Sequence, residues 1–305
     1  MVPTLFFIAL IIFMLAHVAP GSPFDKNENR PLPEATIARL NSLYGIDKPL
    51  PEQFLLYLGN LARFDLGSSL VKDRTVADII GSEFPVSAQL GIQATLLALS
   101  ISIPLGVISA LKQNTIVDYG SLLFATVGRT IPSFVIGIFA IYIFGVTFKL
   151  VPFVGWGNGC GPLPSCDLKR MALPTIILAL GEMAFLTRIT RASMLEAIRQ
   201  DYVRTARSKG LREQVVIVSH VVKNAMIPVA TVIGPATAGL ITGSFIIENL
   251  FNVPGLGRDF VLSVNRRDYP LIMGVYMLYA SLIVIANLTI DLVYGWLDPR
   301  IKLGR

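Results

Sequence analysis

The sequence predicts an all-α polytopic membrane protein, with six transmembrane helices and a helical loop on the cytoplasmic side. Three observations predict it. The 305-residue chain is 53% hydrophobic but only 15% charged, where soluble domains carry roughly 25% charged residues. The apolar residues gather into six long segments. The basic residues gather in one of the connections between them.

A bilayer core of ~30 Å needs about 20 apolar residues in a helix. Six segments fit, at residues 2–18, 86–111, 121–148, 171–187, 225–247 and 271–294. Several contain Pro or Gly, which membrane helices tolerate better than soluble ones. The first resembles a signal peptide only superficially, because it has no basic start and its apolar run is long. We read it as a retained helix. The missing basic start leads us to expect native residues upstream of Met1.

Residues 21–85 form the longest connection, with seven basic and nine acidic residues, and are expected outside. Pro31, Pro33, Pro49 and Pro51 mark turns there, and residues 37–43 and 53–61 read as short helices. The connection from Arg188 to Lys223 carries eight basic against three acidic residues. Excess Lys and Arg in a short loop marks the cytoplasmic face. Residues 188–224 are therefore expected inside, with both termini. No further soluble domain and no repeat of about 20–50 residues is visible, so residues 1–305 read as one transmembrane domain.

The net charge of +6 does not point to nucleic acid, because the basic residues lie beside apolar spans rather than along one soluble face. No Gly-rich phosphate loop ending in Lys-Ser or Lys-Thr is present, nor a metalloprotease or Gly-x-Ser-x-Gly motif. The spans hold no convincing pairing of nucleophile and base. We therefore expect no catalytic residue, which sets aside an intramembrane enzyme. A zinc site needs about four ligands. Cys160 and Cys166 stand far from His17 and His220, so no metal site is expected.

Four features remain. Met194, Leu195, Ile198, Tyr202 and Ala206 recur at helical spacing, which predicts an amphipathic helix. Gly210 would end it, and a second helix would lead to Pro228. This elbow reads either as a lipid-surface helix pair or as a docking surface. Arg129 and Glu182 lie within spans three and four, where charges are costly and are paired or face a cavity. They read either as an ion pair between helices or as lining of a solute path. Gly239 and Gly243 form a small-residue step, read as a seam to a partner helix or as an internal contact. Cys160 and Cys166 fall in an external loop rich in Gly and Pro, where a disulfide would persist.

The run Asp201-Tyr202-Val203-Arg204-Thr205-Ala206-Arg207-Ser208-Lys209-Gly210-Leu211 resembles the coupling loop of dipeptide and oligopeptide ABC permeases. His220, Asn224, Ala225 and Pro228 continue the resemblance. Glu248, Phe251, Pro254-Gly255-Leu256-Gly257-Arg258 and Arg267-Asp268-Tyr269-Pro270 extend it. Asn287, Asp291, Tyr294 and Leu297-Asp298-Pro299-Arg300 close it. Ala19-Pro20-Gly21, Tyr44-Gly45, Pro49-Leu50-Pro51 and Asp65-Leu66-Gly67 agree near the start. The chain departs from the wider ABC-permease pattern in one place. Arg204-Thr205-Ala206 stands where Glu-Ala-Ala would be, and Lys223 where a Pro would be. The peptide branch shares this departure.

The resemblance implies an importer of di- or oligopeptides in a bacterial inner membrane. A second permease subunit would complete the path. Two ATP-binding subunits would drive it, holding ATP and Mg, with no cofactor in this chain. An extracytoplasmic solute-binding protein would deliver the solute. Tyr202, Arg204, Thr205, Ala206, Gly210 and Leu211 would couple this subunit to an ATPase. Related permeases carry nickel or glutathione, which stand as alternatives. A channel or secondary transporter working without an ATPase would usually show internal repeats.

Overall fold

A computed structural model describes residues 2–18, 48–152, 155, 156 and 168–297. Its helices, in chain order, are α1 (Val2–Val18), α2 (Leu50–Ala62), α3 (Val76–Leu111), α4 (Ile116–Thr130), α5 (Ser133–Ala140), α6 (Leu168–Ile198), α7 (Asp201–Ser208), α8 (Glu213–Val215), α9 (Lys223–Ile241), α10 (Phe245–Leu250), α11 (Leu256–Arg266) and α12 (Tyr269–Leu297). Turns of π-helix extend α5 (Ile141–Thr147) and join α8 to α9 (Val216–Val222). The described residues contain no strand, only a single bridge between Ser68 and Thr75. The all-α expectation therefore holds.

The span count changes. Among the described residues four helical stretches are long and apolar enough to cross a membrane: Val76–Leu111, Lys169–Ile198, Glu213–Leu250 and Tyr269–Thr289. The expected third span is not one helix. α4 and α5 meet at 100° and make a fifth span only if the bent pair is taken together. Pro132 explains the break, since it disfavours helical backbone at the residue before it. Ile131 is extended there, at φ −85° and ψ 124°. α1 has the expected bounds, but its 17 residues reach only about 25 Å at 1.5 Å per residue.

Other boundaries move outward. α3 begins at Val76 rather than at residue 86 and runs 36 residues, about 54 Å and well beyond a bilayer core. α6 continues through the basic residues to Ile198. The sequence reading ended that span at residue 187 because it followed hydropathy, whereas helical backbone tolerates charged residues once they leave lipid. The helix expected at residues 53–61 is present as α2, with proline at its start, where a missing N–H costs little. The helix expected at residues 37–43 lies outside the described residues.

The chain divides into two compact units, Met1–Val86 with Gly255–Val284, and Ser87–Pro254 with Ile285–Arg305. In the first, Val76, Ile79, Leu256, Leu271 and Val275 form a buried core. A second cluster joins Ala9, Ile12 and Met277 to Tyr57, Leu58 and Leu61. Burial of the Tyr57 ring pushes its hydroxyl up to about 12. The loop after α2 is pinned by Asp268, which is 1% exposed. Its carboxylate accepts from the Ser69 hydroxyl and from the Leu70 amide at 3.0 Å. Lys72 reaches both Glu83, at 3.3 Å, and Asp259. Asp268, far away in sequence, thus bonds to the residues just after Asp65-Leu66-Gly67.

In the second unit Ala94, Ala98, Ala179, Met183, Leu186 and Val229 form the core. Small residues here let helices approach. A Cβ on Gly91 would stand 2.3 Å from the Leu240 carbonyl oxygen, and one on Gly106 would stand 2.6 Å from Thr190. The expected step at Gly239 and Gly243 is different. α9 ends at Ile241, and Gly243 has φ +92° in the turn that follows. A Cβ there would meet Glu248 at 2.3 Å, whereas Gly239 has open space around it. Gly243 therefore permits a turn and makes room for a carboxylate, a need the spacing rule does not register. Glu248 is fully buried and accepts from the Ser87 hydroxyl at 2.8 Å.

Candidate functional site

The elbow after α6 is built by one break and two anchors. The helix expected to run from Met194 to Ala206 is interrupted at Gln200, which is extended at φ −73° and ψ 151°. α6 closes with amide bonds from Arg199 to Glu196 and from Gln200 to Ala197, and α7 restarts at Asp201. Gln200 leaves helical backbone although the apolar repeat continues past it to Tyr202, so α7 starts as a separate helix.

The inner face of α7 is Val203 and Ala206, 0% and 5% exposed. Both join Ala110, Met194, Ala197, Val216, Val221 and Ala225 in one apolar cluster. Full burial of a Val-sized side chain contributes about 1.5–3 kcal/mol, so this cluster fixes α7 to the subunit. At the far end the Gly210 amide donates to Arg207 at 2.9 Å, with Gly210 at φ +73°. That left-handed residue is the expected helix stop. Beyond it Arg207 forks onto Glu213 at 3.2 and 2.6 Å. These bonds raise the Arg207 pKa above its usual value.

The outer face carries Tyr202, Arg204, Thr205, Ser208, Lys209 and Leu211, all exposed. Arg204 lies 3.6 Å from Asp201, and the Thr205 hydroxyl donates to the Asp201 carbonyl at 3.0 Å. Five of the six residues expected to couple therefore share an accessible ridge: Tyr202, Arg204, Thr205, Gly210 and Leu211. Ala206 does not. It faces the subunit's own core, because a three-residue step from Val203 returns to the same side of the helix. Behind the ridge a cavity of about 270 Å³ is lined by Ser193, Glu196, Gln200, Tyr202, Asn224 and Pro228, among others.

The sequence reading missed what holds the base of this elbow. Asp118, 1% exposed, accepts two bonds from Arg191 at 2.5 and 2.8 Å. It also accepts from the Ser109 hydroxyl at 2.7 Å and the Asn114 amide at 2.9 Å. All the carboxylate's partners come from α3, the turn before α4, and α6. Arg191 had been counted only as an inside-loop charge. The available signal was an aspartate in the first turn of a mostly apolar helix.

Arg129 and Glu182 are not in salt-bridge contact. The Arg129 guanidinium carbon sits 5.1 Å from the centroid of the Phe185 ring. One Glu182 carboxylate oxygen is buried without a hydrogen-bond partner. The guanidinium takes the aromatic face three residues further along α6 instead. No cluster of three or more metal-ligating side chains exists among the described residues. Cys160 and Cys166 lie outside them.

Residues 102–303 match the model of the binding-protein-dependent transport system inner membrane component. That match covers most of the chain. The chain belongs to this family. It is thus a permease subunit of an ABC transporter, an inner-membrane component by family. The dipeptide transport system permease protein DppB of Bacillus subtilis is 43% identical over 306 residues, covering 100% of this chain and 96% of the relative. The oligopeptide transport system permease protein OppB of Salmonella typhimurium is 41% identical, covering 99% and 96%. A solved chain of the MetNI methionine ABC transporter, inward facing, superposes with a TM-score of 0.55 at 13% identity. It covers 72% of this chain and 96% of that one, and supports the permease fold alone. The elbow and the Asp118–Arg191 clamp both lie within the part of the chain that matches the family.

Proposed function

We propose that this permease serves an ATP-driven importer of di- or oligopeptides, and that the outer ridge of α7 with the turn at Gly210 receives an ATPase subunit. The observation that carries this is the two-sidedness of α7. Its inner face is locked into the subunit, so a push on its outer face moves α6 and α9 rather than α7 alone. The chain has no phosphate cradle of its own, so energy must arrive through contact. In this reading a second permease completes the path, two ATP-binding subunits hold ATP and Mg, and a solute-binding protein delivers peptide from outside. Both termini face the cytoplasm.

Identity above 40% to dipeptide and oligopeptide permeases over the full chain favours peptides over nickel or glutathione. The test is uptake by the reconstituted transporter, with its second permease, ATPases and binding protein. ATP-dependent entry of labelled di- and tetrapeptides is expected. Uptake of nickel or glutathione with no peptide uptake would overturn the solute, and uptake that needs no ATP would overturn the mechanism.

A further inference from the structure

The seam between α4 and α6 carries a strip of polar groups inside two apolar helices. Arg129 is exposed in the last turn of α4 and lies over Phe185 of α6 at 5.1 Å. One turn earlier, exposed Thr126 accepts from Arg188 of α6 at 3.4 Å. Three residues before Phe185, Glu182 keeps a buried carboxylate oxygen without a hydrogen-bond partner. The neighbouring outward positions, Leu123, Val127 and Ile176, are exposed and apolar. Charged side chains in hydrocarbon are costly and face a cavity or a partner. Neither Arg129 nor Arg188 has a carboxylate within salt-bridge distance among the described residues. The strip holds two guanidinium groups against one carboxylate, so its unmet need is for an anion.

We propose that this strip is an electropositive subsite of the translocation path that takes the C-terminal carboxylate of the transported peptide, with Arg129 as its principal ligand. This rests on the peptide-importer reading above. Peptides of varied sequence share few charged groups, and the terminal carboxylate is one of them. A planar guanidinium matches it with two parallel bonds. The Arg129 guanidinium rests on the Phe185 ring face, 5.1 Å from its centroid, and forms no salt bridge to Glu182.

The test uses the complete transporter in liposomes and compares a tetrapeptide with its C-terminal amide. Each variant is normalised to wild type for the same peptide, which cancels the binding protein's preference. Arg129→Gln should lower uptake of the free acid by roughly ten-fold, the scale of one lost charge-assisted bond, while Arg129→Lys retains most of it. Uptake of the amide should change less than about two-fold. An equal fall for both peptides overturns the subsite.

A second measurement decides where the amide is not carried at all. Arg129→Cys, with Cys160 and Cys166 replaced by Ser, is treated in the assembled transporter with a cationic thiosulfonate or a neutral one of equal size. Recovery of uptake with the cationic reagent alone supports the subsite. A cysteine that does not react, or loss of the second permease on purification, overturns it in favour of a contact with an acidic side chain of that permease. A wild-type transporter that carries no peptide fails the functional reading, and the reagent test then reports only whether the strip is open to water.

Discussion

Two pairs of opposite charge lie along the same two helices, and only one is closed. At one end of the α4–α6 seam Asp118 and Arg191 meet in a two-pronged bond, with Ser109 and the Asn114 amide filling the remaining acceptor positions. Further along, Arg129 and Glu182 stand on the same helices without bonding. The closed pair has every partner it needs inside the subunit. The open pair does not, although both pairs lie on the same two helical stretches. Opposite charges on neighbouring spans therefore say little about pairing. Backbone amides and hydroxyls around the carboxylate decide it, because they offset the desolvation that otherwise opposes a buried pair.

The sharpest test of this contrast removes one partner of the closed pair. Asp118→Asn should destabilise the subunit by about 3 kcal/mol, the lower end for a broken buried pair, because it leaves Arg191, 18% exposed, without its partner. Thermal unfolding of the purified transporter measures this. Replacing both partners with neutral residues should recover most of the loss. If the single variant melts like wild type, the pair is not structural.

Next in size is Ala206→Glu. It puts a carboxylate into the apolar cluster around Met194 and Val216, where an unpaired charge costs several kcal/mol or takes up a proton. Protease sensitivity of the elbow should rise. A fully resistant variant would mean that α7 is not anchored by its inner face.

A smaller loss of about 1–3 kcal/mol is expected for Gly91→Ala, since overpacking forces the backbones of α3 and α9 apart. Measured by the same melt, no change would show that this seam is loose. The smallest effect is at the open pair. Arg129→Gln or Glu182→Gln should shift stability by less than about 1 kcal/mol, as for side chains with no bond to lose. A shift as large as that of Asp118→Asn would erase the distinction between the two pairs.

Helices were legible because apolar runs of this length have few other uses, and the elbow was legible from charge and Gly210. The kink at Pro132 was also available, but hydropathy ran through it. What the sequence hid was direction. Ala206 and Tyr202 both fit one helical stripe, but the buried face of α7 is centred on Val203 and Ala206, which leaves Tyr202 at its edge and 39% exposed. The Asp118 clamp escaped because its partners lie 9 and 73 residues away. Gly239 and Gly243 satisfied a spacing rule, yet close helix approaches occur at Gly91 and Gly106, each flanked by Ser, Thr or Ala four residues away, a weaker form of the same small-residue pattern.

The central claim is that the outer ridge of α7 transmits force from an ATPase while its inner face does not touch the partner. The direct measurement is the double variant Arg204→Glu with Leu211→Glu in the complete transporter, followed by co-purification of the ATPase, hydrolysis and peptide uptake. Both positions are exposed, so the subunit should insert and pair with the second permease as in wild type. The ATPase should be lost, or its hydrolysis should continue without uptake. Normal ATPase retention together with normal coupled uptake would contradict the account.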